Sequence, residues 1–189
     1  MRIYEIILIG VALAMDAFAL TVSNCTVYKN TLSKSKKIAM PVTFAIFQFL
    51  MPVLGYFVGS AFASYLKGFA GYLTAIVFFA LAVKFLFDAI AEKKSDGKEK
   101  KTVLSPVAII LQGVATSIDA LFIGVTFAVE LTFSIFLAAG IIGIVTFVIV
   151  FLALLVGKGL GKVLKDYSAF FGVAILLALA IINLVKAIG

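Results

Sequence analysis

The chain has 189 residues, 64% of them hydrophobic and 13% charged, with no histidine and a net charge of +7. Soluble domains are about 45–50% apolar, so this composition excludes an ordinary soluble enzyme or binding module. It also makes the positive charge a matter of membrane topology rather than of nucleic acid. A single cysteine, Cys25, excludes an internal disulfide.

Crossing a bilayer as a helix takes about 20 apolar residues, and backbone groups in lipid must be satisfied within the segment. Six runs meet this need, at about 3–24, 39–63, 69–91, 104–128, 133–157 and 168–187. The expected fold class is therefore an all-α polytopic membrane protein with six transmembrane helices in a single domain, 1–189. The first run is too long for a cleavable leader and carries an aspartate, Asp16, in "AMDAF". Glu5 lies near its start and is expected at the interface.

The second run, "FAIFQFLMPVLGYFVG", holds Gln48, and Pro52 four residues later can free the Gln48 carbonyl. The third holds Lys84 and Asp88, four apart and able to pair. Lys84 is expected to tether the helix by snorkelling, or to act as a counter-charge to the carboxylates when no metal is bound. The connection "AEKKSDGKEKKT" follows at 91–102 and reads as a charged linker. In the fourth run, "LQGVATSIDALFIGVTF", helical spacing sets Gln112, Thr116 and Thr126 on the face of Asp119. The fifth run contributes Thr146 in "GIVTF", and the sixth contributes Asn183, expected to bond between helices. Glu130 is expected, like Glu5, at the outer interface.

Twelve of the sixteen Lys and Arg residues fall in the first, third and fifth connections. Positive loops stay cytoplasmic, so both termini are expected outside. The sequence also repeats. A shift of 98 aligns "ALAVKFLFDAI" (80–90) with "ALAIINLVKAI" (178–188), with six of eleven positions identical, and lays Gln48 on Thr146. A shift of 103 lays Asp16 on Asp119. Repeat one is expected over about 1–91, a linker over about 92–103 and repeat two over about 104–189. Three helices per copy is an odd number, so the copies would be inverted, as in many secondary transporters with a site at the midplane.

An aspartate at a helix centre costs about 2.5–3.5 kcal/mol on insertion scales. Two of them must be neutralised by protons, paired with a cation, or set in water. With no histidine, the donors on offer are carboxylate, amide and hydroxyl oxygens, which suit Mg²⁺, Ca²⁺ or Mn²⁺. The residues alone point to a hard divalent cation or to protons.

"AMDAFALTVSN", "FAIFQFLMPVLGYFVG", "LQGVATSIDALFIGVTFA", "GIVTF" and "LVGKGLG" resemble the MntP manganese efflux family of inner-membrane exporters, grouped with the LysE-type transporters. The resemblance implies a secondary transporter, not an enzyme, that moves Mn²⁺ out of the cytoplasm and needs no cofactor beyond that cargo. It implies Asp16 and Asp119 as metal ligands, with Gln48 and one or more of Thr116, Ser117 and Thr146 supplying further oxygens. Lys84 and Asp88 match the family's basic and acidic pair. Protons are the expected coupling partner and the inner membrane the expected location. Small residues on several helices permit an oligomer without requiring one. The alternatives are export of another divalent cation or a small organic solute, or a sporulation-associated membrane protein. An intramembrane aspartyl protease is a poor fit, because "AMDAF" and "SIDAL" lack the G-x-G-D motif those enzymes share.

Overall fold

The computed structural model describes residues 1–28, 32–62, 70–94, 104–156 and 161–188, without the side chains at 70, 71, 85, 88–94 and 161–169. Every regular element in this range is helical: α1 (Ile3–Val27), α2 (Lys34–Ala61), α3 (Ala70–Lys94), α4 (Pro106–Ala115), α5 (Ile118–Glu130), α6 (Ile135–Val156) and α7 (Gly161–Ile188). Residues 95–103, most of the expected linker, lie outside the described residues.

The helix starts follow from local chemistry. Glu5 Oε2 accepts from the Arg2 N–H at 3.0 Å, closing the open end of α1. Ser33 caps α2 by accepting from the Lys36 N–H. Ser105 caps α4 by accepting from the Ala108 N–H at 3.0 Å, and Pro106 occupies the first turn, where its missing N–H is harmless.

By length and composition, five segments can cross a membrane: α1, α2, α4 with α5, α6, and Phe170–Ile188 of α7. α3, the third expected span, runs for 25 residues, and the apolar stretch among its described side chains is Tyr72–Lys84. α7 starts at Gly161 rather than near 168, because the polar turn "GKVLKDYS" continues the helix ahead of the apolar run.

The fourth span departs from the continuous helix expected over 104–128. It breaks at Thr116 and Ser117, between α4 and α5. Thr116 Oγ1 donates back to the Gln112 carbonyl at 2.9 Å, and Ser117 Oγ to the Gly113 carbonyl at 2.8 Å. The Ser117 N–H turns to the Val114 carbonyl, three residues back. Hydroxyls that compete for helix carbonyls in this way bend or interrupt helices.

α3 packs on α7 and α5, α2 on α4, α5 and α6, and α1 on α6 and α7. Small residues set the closest crossings. A Cβ on Gly55 would strike the Leu121 carbonyl, and one on Gly124 would strike the Pro52 carbonyl, so α2 and α5 touch backbone to backbone. The outward surface is apolar, with Ile76, Ile144 and Leu155 each more than 60% exposed. Such a surface needs a lipid environment. Among the described residues, the small stripes at Gly55, Gly59 and Gly124 are used inside the chain.

Candidate metal site between the helices

Asp16 sits midway along α1, its side chain 23% exposed, with Lys84 Nζ of α3 at 3.5 Å from Oδ2. Asp119 lies in the first turn of α5 and is 2% exposed. The helix break puts it there, where unbonded N–H groups favour a carboxylate. Its Oδ1 accepts from the Ala120 N–H at 2.9 Å, and its Oδ2 is buried with no hydrogen-bond partner. Asp119 interacts electrostatically with both Asp16 and Lys84. The two carboxylates and one ammonium thus form one charged group spread over three helices.

Gln48, fully buried on α2, crosses this group. Its Nε2 donates to the Leu13 carbonyl of α1 at 3.4 Å and to the Thr116 carbonyl at the break at 3.1 Å. Both acceptors precede an aspartate by three residues. Gln48 Oε1 is buried without a partner, as is Thr146 Oγ1 on α6. Gln48 and Thr146 each lie three residues beyond the point where Gly143 meets Ala45 across the α2–α6 crossing.

Thr116 and Ser117 flank the site, but their hydroxyl hydrogens are committed to α4 carbonyls. Their oxygens keep acceptor lone pairs. Gln112 pairs with Asn24 of α1: Asn24 Nδ2 donates to Gln112 Oε1 at 2.9 Å, and Gln112 Nε2 returns a bond at 3.4 Å. Thr126 bonds back to the Ile123 carbonyl. Asn183 likewise bonds within α7, to the Leu179 carbonyl at 2.9 Å, and among the described residues the expected bond to another helix is not seen. A hydroxyl or short amide in an apolar helix finds its own carbonyls nearest. The Asp88 side chain lies outside the described residues.

At the end of the bundle away from Asn24, a second polar cluster joins the termini. Lys186 Nζ donates to Glu5 Oε1 at 2.7 Å, and the Met1 ammonium donates to the Glu130 carbonyl at 2.9 Å. The Thr74 hydroxyl donates to the Glu130 carboxylate. The sequence marks Glu5 and Glu130 as outer residues but gives no sign of these partners. The helix break and the Asn24–Gln112 pair also had no sequence signal. The Gln48 bridge did have one, since the shift of 103 lays Leu13 on Thr116.

Among the described residues, no three His, Cys, Asp or Glu side chains gather in a group that could hold a metal. These features define an all-helical membrane protein that carries the Asp16–Lys84 pair and the buried Asp119 within its helices.

The "Putative manganese efflux pump" family model matches residues 31–184, and the chain belongs to this family. Similar proteins bear that name. "Putative manganese efflux pump MntP 2" of Clostridium botulinum (strain Langeland) is 33% identical, covering 96% of this chain and 93% of its own length. "Putative manganese efflux pump MntP" of Clostridium perfringens (strain SM101) is 35% identical with the same coverage. Its counterpart in Methanobrevibacter smithii is 34% identical over 94% of both chains. No solved structure matches the chain.

Proposed function

We propose that the chain is a secondary transporter exporting Mn²⁺, with Asp16 and Asp119 as ligands and Gln48, Thr146, Thr116 and Ser117 as the pool of further oxygens. The observation that carries this reading is that, of four buried side-chain oxygens without partners among the described residues, three cluster on candidate ligands, Asp119 Oδ2, Gln48 Oε1 and Thr146 Oγ1, the fourth being Glu130 Oε1. Each unsatisfied buried acceptor costs about 1–3 kcal/mol. All three belong to residues of the candidate site, and a hard cation suits acceptors of this kind. Lys84 neutralises part of the carboxylate charge when the site is empty and gives way when metal arrives. Protons moving inward on the same carboxylates would complete the cycle.

The site lies between two inverted halves, α1–α3 and α4–α7. Three contacts support this arrangement. Gly10 packs against Val145, and its repeat mate Gly113 packs against Phe47, the mate of Val145. Gly143 meets Ala45, and these two are each other's mates under the shift of 98. Gln48 bridges the mated carbonyls of Leu13 and Thr116. With the lysine-rich connections cytoplasmic, both termini face outward from a bacterial inner membrane.

The test compares Asp16→Asn and Asp119→Asn with the parent chain at equal expression, in an exporter-deficient host grown in toxic Mn²⁺. Both variants should lose protection; protection equal to the parent's would overturn the ligand assignment. Flux in proteoliposomes across Mn²⁺, Mg²⁺, Ca²⁺ and Fe²⁺ fixes the cargo, and flux of an amino acid without any of these ions would favour an organic solute.

A further inference from the structure

We propose that the groove between α2 and α6 is a binding site for one anionic phospholipid, with its headgroup on Lys37 and an acyl chain laid along Phe147 toward Gly140. The first observation is a glycine with no packing reason. Glycine inside a helix is less favourable than alanine, and Gly55, Gly124 and Gly143 each answer that with a neighbour pressed against them. Gly140 does not: a Cβ there would meet nothing within 4 Å. The missing side chain opens a hollow of about 420 Å³ whose lining includes Ala45, Phe49, Gly143 and Phe147.

The second observation is what lies at the end of that hollow. Phe147 also lines an adjoining cavity of about 310 Å³, with Pro41, Phe151, Leu154 and Leu155, and among the described residues the charged group on its wall is Lys37. From Lys37 to Leu50, which lines the far hollow, α2 advances about 20 Å at 1.5 Å per residue. A single leaflet's hydrocarbon is about 15 Å deep. The groove is therefore long enough for one acyl chain to run from the interface to the midplane, with Lys37 left over at the headgroup level.

The headgroup end is set up for an anion. Lys34, Lys36 and Lys37 occupy the first turn and a half of α2, and no acidic residue lies in its first turn. Cations at a helix N-terminus add to the positive end of the dipole instead of neutralising it. Basic pockets between transmembrane helices bind phosphate headgroups in this way. A second copy of this chain fits less well: two copies sharing one membrane orientation would oppose their lysine clusters at the same depth.

The test uses the full chain in detergent, with phosphatidylglycerol or phosphatidylcholine of identical acyl chains added. Bound lipid is read by native mass spectrometry and stabilisation by thermal unfolding. Phosphatidylglycerol should bind more tightly and raise the unfolding temperature more. Lys37→Gln should weaken it about fivefold, the worth of one lysine at an anionic surface. Gly140→Leu fills open space without touching the fold and should remove the bound lipid. Equal binding of both lipids to the parent chain, or an undiminished preference in both variants, overturns the proposal. So does a dimer in the parent chain that Gly140→Leu dissociates while lipid binding stays unchanged.

Discussion

A Gly124→Ala substitution would drive a methyl group into the backbone of α2 at the crossing that positions Asp119. The new carbon would stand 2.8 Å from both the Pro52 Cα and its carbonyl carbon, where carbon atoms rest at about 3.5–4.0 Å. α2 would have to withdraw by roughly 1 Å. Neither neighbour is the end of a flexible side chain, and across the same crossing a Cβ on Gly55 would already lie 3.0 Å from the Gly124 Cα. Overpacking costs about 1–3 kcal/mol, and rigid backbone on both sides places this case near the top. At about 2–4 °C per kcal/mol for a chain of this size, the unfolding temperature should fall by roughly 6–12 °C. Gly140→Ala is the control, since it enters open space and should leave stability unchanged or raise it by up to about 1 kcal/mol. Thermal unfolding in one detergent measures both, and Mn²⁺ flux in proteoliposomes should fall for Gly124→Ala beyond the loss of folded protein. If Gly124→Ala unfolds within about 2 °C of the parent, the α2–α5 crossing is not as close as described.

Gln48→Leu strips two carbonyls of their shared donor and should cost about 1–3 kcal/mol, read as a lower unfolding temperature together with lost Mn²⁺ flux. Asn24→Leu and Gln112→Leu should each destabilise by about 1–3 kcal/mol, whereas the double variant should be milder than the sum, because no amide is then left unpaired; additive losses would show that the pair is not coupled. Lys84→Gln should tighten Mn²⁺ binding by up to about fivefold in calorimetry, a modest effect because Lys84 is 46% exposed. Weaker binding would count against Lys84 as a competitor for Asp16.

The membrane-spanning character was legible because long apolar runs leave few other structures, and Asp16, Gln48, Asp119 and Thr146 stood out as polar residues within them. The break after Ala115 was not legible: "LQGVATSIDALF" holds no proline, and Thr and Ser occur in intact helices as well. Helical periodicity groups Gln112 with Asp119 but gives no sign of its bond to Asn24. The same limit applies to the glycines. Gly140 and Gly143 look alike in "GIIG", yet one faces open space and the other meets Ala45. Partners brought in from distant sequence, such as Lys186 for Glu5, carry no local pattern at all.

Because one amide nitrogen grips both Leu13 and Thr116, the first and fourth spans cannot part at that depth without breaking one of these two bonds. Their far ends are fastened differently: by the Asn24–Gln112 amides at one extremity, and by the Met1 ammonium on the Glu130 carbonyl at the other. Gln48 thus ties the two spans together beside the aspartates, between the contacts that hold their ends.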